Sequence, residues 1–502
     1  MQGTWRGDED EFIVYGSLRS LIPADHVLRR LDAVLDLSWV PERVAPCYSL
    51  RCMKPSFAPE TMLRLILARF VLGIDSNRAL CRWAQTDLAL RWFCGLALDR
   101  QAPDHSTLSK TLERWGQELF GELFERGVQQ AREAGLVEGR RLHVDATLLR
   151  ADVGLATMSA EFGAQVWAEV ERERRGEAVA EEDDEERPAA PPGGFSEEAF
   201  PTRTRARGHG PGAGKRSKTD PEASLARRSS RERCVPSYKQ HTVVDDAHRI
   251  IVDVEVTTGE QHEGQRLLSA VARAQGRLGG SVAQVTADAG YGSAAVLAGL
   301  EAAGLEAVVK TPKPAAGGRC AARQFKYDER HDHLTCPRGR RLTRRSRKDN
   351  GWEYRARACD CRGCPLAAIC LSPAGRARSV WLPDGYAALV RARRAREKGW
   401  PAEWREAYER HRWQVEGVQG EAKNGHGLAR AAWRGLRKVR WQALLTAAIL
   451  NLKRMAAAAA AAKLQEAAQG ALGRALGALP AAWRRVRRTA APPRPALGVA
   501  PA

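Results

Sequence analysis

Apolar residues recur at helical spacing over residues 55–115, with polar residues on the opposite side of each predicted helix. The motif at residues 103–107 is typical of a turn that leads into another helix, with Asp104 or Ser106 as its N-cap. We therefore predict an N-terminal helical domain over residues 1–135.

The period of the apolar positions changes to two after residue 140, where Leu142, Val144 and Ala146 alternate with polar residues. Further strand patterns cover residues 240–245, 249–257, 282–287 and 306–311, and helical patterns cover residues 264–279 and 293–303. Three strands followed by strand–helix–strand units predict an α/β fold of the ribonuclease H-like kind. Its mixed five-stranded sheet would place the first and fourth strands side by side, with the core formed by residues 136–152 and 236–311.

The rest of the chain divides by composition. Residues 153–235 contain an acidic run, a Pro- and Gly-rich stretch and a basic Gly-rich stretch, which predict a largely disordered linker. Residues 312–375 hold six cysteines and many arginines, typical of a cysteine-rich insertion. We predict that residues 400–463 complete the core as a C-terminal helical segment, and that residues 464–502 form a basic Ala- and Pro-rich tail.

Composition excludes some classes of protein. The apolar stretch at residues 443–462 is interrupted by Asn451, Lys453 and Arg454, so we expect no membrane span. The acidic N-terminus does not resemble a signal peptide, which favours a cytoplasmic protein in a compartment where thiols stay reduced.

The charge is strongly uneven along the 502 residues. The net charge is +20, from 80 Lys and Arg against 60 Asp and Glu. Residues 371–502 carry +17, residues 312–369 carry +9, and residues 1–311 carry −6. This distribution predicts a polyanionic partner, most simply nucleic acid, that contacts the C-terminal half.

Two aspartates lie where predicted strands meet loops. Asp145 is placed at the end of the first strand and Asp288 at the end of the fourth. Side by side, two carboxylates repel each other unless a cation lies between them, so the pair suggests a Mg²⁺ or Mn²⁺ site. The alternative is that each aspartate only caps the following turn.

A third carboxylate, Glu416, lies between two cations on a predicted helix. Arg412 precedes it by four residues and Lys423 follows it by seven, spacings that return to nearly the same helix face, and Tyr408 lies one turn earlier. Glu416 could complete the metal site while Arg412 and Lys423 bind a phosphate. The alternative is a surface ladder of ion pairs.

Together these residues resemble the DDE-type bacterial insertion-sequence transposases, in the branch with a Tyr-Arg-Glu-Lys signature. Asp145 matches the first acid, Asp288 the second within Asp-x-Gly-Tyr, and Glu416 the catalytic Glu. Arg412 and Lys423 match the Arg and Lys of the signature. The departure is the tyrosine, because the signature position holds Glu409 and Tyr408 comes one residue early.

This resemblance implies metal-dependent cleavage of double-stranded DNA at transposon ends, and strand transfer into target DNA, by two Mg²⁺ or Mn²⁺ ions held by the three carboxylates. It also implies a homodimer assembled on paired ends. Two alternatives stay open: a metal-dependent nuclease of the same fold that cuts without joining, and a zinc-containing DNA-binding protein whose catalytic core is silent.

The cysteine-rich insertion suggests a second metal. Cys336, Cys361, Cys364 and Cys370 could bind a structural Zn²⁺, since Cys361-x2-Cys364 is typical of a zinc-binding turn. Further potential ligands are Cys320, Cys359, His331 and His333. The bound ion would present the arginines of this insertion to a DNA backbone; the alternative is a set of reduced structural thiols.

Several other residues have two interpretations. The arginines of the N-terminal helices could face DNA or serve packing: Arg64, Arg69, Arg78 and Arg82. Trp433 and Trp441 could stack on bases, although aromatic residues at helical spacing more often belong to a core. We interpret His105 and His262 as structural.

Overall fold

The N-terminal region is helical, as predicted. The computed structural model describes residues 17–48, 56–175, 214–229, 231–280, 282–311, 320, 324–372 and 375–478. Its first helices are α1 Leu18–Leu21, α2 Val27–Asp32, α3 Val40–Val44, α4 Pro59–Val71, α5 Asn77–Thr86, α6 Leu88–Phe93 and α7 His105–Glu133. Asp104 caps α7, because its side chain accepts a hydrogen bond of 2.8 Å from the Ser106 N–H.

A mixed sheet forms the centre of the molecule. Its strands are β1 Arg141–Arg150, β2 Met158–Ser159, β3 Arg216–Ser217, β4 Asp220–Ala226, β5 Val235–Asp245, β6 Ile251–Thr258, β7 Gln284–Ala287 and β8 Glu306–Val309. The helices between them are α8 Ala160–Arg174, α9 Gly264–Leu278 and α10 Ala294–Ala302. β1 pairs with β5 in antiparallel and with β7 in parallel orientation, so the first and fourth predicted strands do lie side by side.

The sheet is larger than the five strands predicted. It has eight, in the order β2-β3-β4-β5-β1-β7-β8 with β6 also paired to β5. The additional strands come from the segment 153–235, so the linker prediction is wrong for its described parts. β4 pairs with β5 at Ser224 and Ser237, and α8 buries an apolar cluster that includes Phe162 and Trp167. Long-range pairing overrides local composition here; residues 176–213, with the acidic and Pro-rich stretches, lie outside the described residues.

The cysteine-rich insertion folds around a separate antiparallel sheet. Its strands are β9 Lys326–Asp328, β10 His333–Thr335, β11 Arg341–Lys348, β12 Gly351–Ala356 and β13 Ser379–Pro383, in the order β13-β12-β11-β10-β9. Two short helices, α11 Ala358–Cys361 and α12 Ala367–Cys370, lie between β12 and β13.

The C-terminal part is helical. It consists of α13 Tyr386–Glu397, α14 Ala402–His411, a π-helical turn Arg412–Glu416, α15 Gly417–Gly425 and α16 Leu436–Ala478. The prediction of a basic tail from residue 464 is wrong at its start, because α16 continues to Ala478; residues 479–502 lie outside the described residues.

The helix α16 packs against the edge of the sheet that β6 forms. The Asn451 amide accepts from the Ile251 N–H at 2.8 Å and donates to the Ile251 carbonyl at 2.9 Å, as a neighbouring strand would. By length and composition, residues 436–469 are the one stretch among the described residues that could cross a membrane, but 61% of the most apolar window is buried within the protein. Such burial is that of a core helix. Trp441 packs on Phe120 of α7, which anchors the N-terminal helices to the same helix.

Candidate active site

Asp145 and Asp288 are the first residues beyond the point where two parallel strands separate. The register of β1 with β7 ends at Val144 opposite Ala287, so the next residue on each chain is an aspartate. β7 ends there, and the Asp288 Oδ1 accepts a 2.7 Å hydrogen bond from the Gly290 N–H of the following turn. The strand order therefore brings the two carboxylates together.

The placement of Asp145 at a strand end is wrong. β1 continues to Arg150 and keeps its antiparallel pairing with β5 throughout, so Asp145 lies in the middle of β1. Leu148 and Leu149 extend the apolar pattern past Asp145, and this pattern indicates that the strand continues beyond Asp145. Asp145 is nonetheless only partly buried, and its pairing with β7 has ended.

Glu416 reaches these aspartates from the C-terminal helices. It ends the π-helical turn, where the Arg412 Nε donates to its Oε2 at 3.2 Å and both side chains are mainly exposed. Its negative charge contributes to raising the pKa of Asp145, so the Glu416 carboxylate lies within electrostatic range of Asp145. π-helical turns are rare and are often found at functional sites.

The Asp145 carboxylate lies in a buried, negatively charged environment. Burial raises its pKa from 3.8 to about 7, and the negative charges of Asp288, Glu263 and Glu416 add to this against an opposing backbone hydrogen bond from Ala146. The donor set consists only of carboxylate oxygens, the ligands that Mg²⁺ and Mn²⁺ prefer. The residues present thus fit a divalent cation.

The carboxylates are spread more widely than the ligands of one bound ion. Among the described residues, one group of three potential ligands has all its ligand atoms within 4.8 Å of one another, and it is Asp328, His331 and His333 in the second sheet.

A lysine and a tyrosine line the same site. The Lys423 Nζ donates to the Thr147 Oγ1, two residues beyond Asp145 on the same strand face. Burial, with the charge of Arg228, lowers the Lys423 pKa to about 8, while Asp145 opposes this change. Burial raises the pKa of Tyr408, and the charges of Asp288, Asp145 and Glu416 act in the same direction, so its ring lies beside the carboxylates although it comes one residue early in the signature.

A buried hydrogen-bonded network that the sequence analysis missed links the three elements carrying the acids. The Thr286 hydroxyl bonds to the Nδ1 of His143 at 2.5 Å and to the Nδ1 of His411 at 3.0 Å. The other ring nitrogen of His143 lies 2.9 Å from Asp246, which Gln414 also contacts. His143 and Thr286 each precede a catalytic candidate by two residues, so strand periodicity could have identified them.

The cysteines of the insertion converge only in part. Cys336, Cys361, Cys364 and Cys370 line one cavity, whereas Cys359 is exposed. Burial, together with the neighbouring Cys320, raises the Cys370 pKa to about 11. Of the further potential ligands, Cys320 therefore lies beside Cys370.

Two of the four N-terminal arginines serve packing. Arg64 donates to Asp32 and to the Phe93 carbonyl, and Arg69 is buried against backbone carbonyls and Asn77. The hypothesis that these two face DNA is wrong, while Arg78 and Arg82 are exposed. The helical pattern could not tell which side of each helix the rest of the chain covers.

The histidines and tryptophans also have defined partners. His105 lies 3.1 Å from Asp104, and His262 accepts a hydrogen bond from the Gly264 N–H. Trp441 is buried and Trp433 packs against it, so these rings belong to the core.

Comparison with protein families gives two matches. Residues 16–114 match the family model described as a transposase domain (DUF772), and residues 335–456 match the model described as a transposase DDE domain. The comparison with curated proteins gives no match. The second match includes Glu416 and five of the six cysteines of the insertion, all except Cys320, but neither Asp145 nor Asp288. Together the two matches support an insertion-sequence DDE transposase.

Proposed function

We propose that this protein cuts DNA at the ends of an insertion sequence and joins those ends to target DNA, using one ribonuclease H-like site formed by Asp145, Asp288 and Glu416. The observation that carries this proposal is the β1–β7 register, which puts Asp145 and Asp288 next to each other on adjacent strands. The transposase DDE domain match over residues 335–456, which includes Glu416, supports it. A divalent cation at this site would polarise a phosphodiester and favour ionisation of the attacking hydroxyl.

The chain's own residues position the DNA. Lys423, which bonds to Thr147, and Arg412, which bonds to Glu416, offer two cations for a phosphate near the carboxylates. Tyr408 forms part of the wall of the site, with the Lys310 Nζ 4.0 Å from its ring centroid. The incoming hydroxyl belongs first to water and then to the 3′ end of the cut strand, so the same groups serve cleavage and joining.

The second sheet offers a surface for the DNA backbone. β11 presents a row of exposed arginines: Arg341, Arg344, Arg345 and Arg347. Two of them hold Trp352 and surface carboxylates, which fixes their side chains without covering them. A structural Zn²⁺ bound by Cys336, Cys361, Cys364 and Cys370 would hold the adjoining loops in place.

The test is a cleavage assay with DNA carrying the inverted repeats that flank the coding region. We expect purified protein to nick this DNA in Mg²⁺ and to give joined products with a target duplex. Asp145→Asn should bind the ends and leave them uncut, whereas Asp152→Asn, which removes a carboxylate paired with Arg430 outside the site, should cut normally.

Cleavage without joined products would identify a nuclease and refute strand transfer. Full cleavage by Asp145→Asn would refute the assignment of the site. The homodimer on paired ends is a separate part of the proposal, and sizing of the protein–DNA complex tests it.

A further inference from the structure

A fourth carboxylate, Glu263, lies beside the three that the sequence predicts. It directly precedes α9, and its negative charge acts on both Asp145 and Tyr291. Built on the backbone of Gly290, a Cβ atom would lie 2.9 Å from the Asp288 Oδ1 and 3.1 Å from the Glu263 Oε2. Because both distances start from one point, the two carboxylate oxygens are at most about 6 Å apart.

Glu263 has no evident structural task at its helix. It occupies the N-cap position of α9, yet its side chain makes no capping hydrogen bond. The capping role falls to His262, whose Nδ1 accepts from the Gly264 N–H at 3.2 Å. Lys239 lies 3.4 Å from the Glu263 Oε1, so one oxygen faces a cation while the other faces Asp288 and Gly290.

A second, independent feature at the same place points to a ligand. The Tyr291 side chain is fully buried, and its hydroxyl is among the buried polar atoms that find no hydrogen-bond partner in the described part of the chain. Tyr291 belongs to the short helical turn that Asp288 caps and directly follows Gly290, and the charges of Asp145, Glu263 and Asp288 all act on its hydroxyl. An unpaired buried hydroxyl destabilises the folded state, and a hydrated cation between the carboxylates would supply the missing partner.

We propose that Glu263 is a fourth carboxylate ligand of the divalent-cation site, facing Asp288 across Gly290. This inference rests on the proposed function, because it adds a ligand to the same site. Gly290 then has a physical reason to be glycine: a side chain there would displace one or both carboxylates.

The first experiment measures Mn²⁺ binding to the full-length protein by electron paramagnetic resonance of the free ion, without DNA. Glu263→Gln should weaken Mn²⁺ binding about tenfold or more, as expected for loss of a ligand or its closest support. The matched control is Glu301→Gln, which should bind Mn²⁺ as the wild type does. Glu301 is a partly exposed glutamate on α10 that pairs with Arg391 of α13. Glu263→Asp keeps the carboxylate and should bind with intermediate affinity, and circular dichroism confirms that each variant is folded.

The second experiment needs no variant. Fe²⁺ replaces Mn²⁺, and ascorbate with peroxide cleaves the polypeptide next to the bound ion. We expect cuts near residues 145, 263 and 288, mapped by mass spectrometry.

The outcomes separate this inference from the proposed function. If Asp145→Asn weakens Mn²⁺ binding while Glu263→Gln binds like the wild type and no cut falls near residue 263, the role of Glu263 is refuted and the three-carboxylate site stands. If the wild type binds no Mn²⁺, the metal site fails and Glu263 fails with it.

Discussion

The substitution Asp145→Asn should stabilise the protein when divalent cations are removed. The pKa of Asp145 is about 7 in the folded state against 3.8 for an unperturbed aspartate, chiefly because of burial and then of three neighbouring carboxylates. Ionisation therefore disfavours the folded state. This cost is absent below pH ~4, where the group is protonated in both states, grows between pH ~4 and ~7, and is complete above pH ~7.

The size of the effect follows from the difference in pKa. About three pKa units correspond to ~4 kcal/mol at pH 8. Since Asp145 is partly accessible to solvent, we take about half of this, ~2 kcal/mol, as the expected gain for asparagine. In a chain of this size such a gain raises Tm by about 2 °C.

Calorimetric scans in EDTA at pH 4 and pH 8 measure this directly. Asp145→Asn should raise Tm at pH 8 and leave it nearly unchanged at pH 4, and added Mg²⁺ should stabilise the wild type more than the variant. Asp246→Asn is a control of opposite sign: although burial opposes it, hydrogen bonding to His143 and the charges of Arg410 and Arg141 hold the pKa of Asp246 below 3.8. That variant should be destabilised at pH 8. A lower Tm for Asp145→Asn at pH 8, or an equal shift at both pH values, would refute the reasoning.

Three further predictions concern the surroundings of the site. Thr286→Val removes the hydroxyl that bonds to His143 and His411. We expect end cleavage to slow about tenfold and the protein to lose ~1–3 kcal/mol of stability, while DNA affinity stays unchanged. Thr343→Val, at an exposed position of β11, is the control, and wild-type cleavage by Thr286→Val would contradict the role of the network. Lys423 has a pKa of about 8 and therefore loses its charge between pH 7 and pH 9. The affinity of the protein for transposon-end DNA, measured by fluorescence anisotropy, should fall about threefold or more over this range, while that of Lys423→Arg should stay constant. Parallel pH profiles of the wild type and Lys423→Arg would argue against a phosphate contact by Lys423. Purified protein should contain about one Zn²⁺ per chain by mass spectrometry. Cys364→Ser should lose this ion, and Cys359→Ser, at an exposed cysteine, should keep it. A wild type without zinc would refute this metal site.

Much of the core could be predicted because its elements have local patterns. The helix over residues 264–279 and the strands near residues 282–287 and 306–311 appear within about two residues of their predicted bounds. Their periodicity and flanking turns depend on short stretches of chain. The adjacency of Asp145 and Asp288 followed from strand order alone, before any side chain was placed.

The features that were missed depend on residues far apart in sequence. β4 became a strand because β5 offers it an edge, which no local composition could indicate. Glu263 and Tyr291 lie near the other carboxylates only because α9 packs against the turn after β7, and this contact joins residues that are far apart in sequence. Arg69 was a candidate for DNA contact in the sequence, but in the structure the loop after α4 buries it, because it donates to the carbonyls of Ile74 and Asp75.

The central claim is that Asp145, Asp288 and Glu416 hold the divalent cation for phosphodiester chemistry, and metal rescue tests it most directly. A thiolate is a softer ligand than a carboxylate and favours Mn²⁺ over Mg²⁺. We predict that Asp288→Cys binds transposon ends normally, fails to cut them in Mg²⁺ and recovers cleavage in Mn²⁺, while Asp288→Ala stays inactive with both ions. Cleavage by Asp288→Cys at the wild-type rate in Mg²⁺, or no more cleavage than Asp288→Ala in Mn²⁺, would contradict the claim.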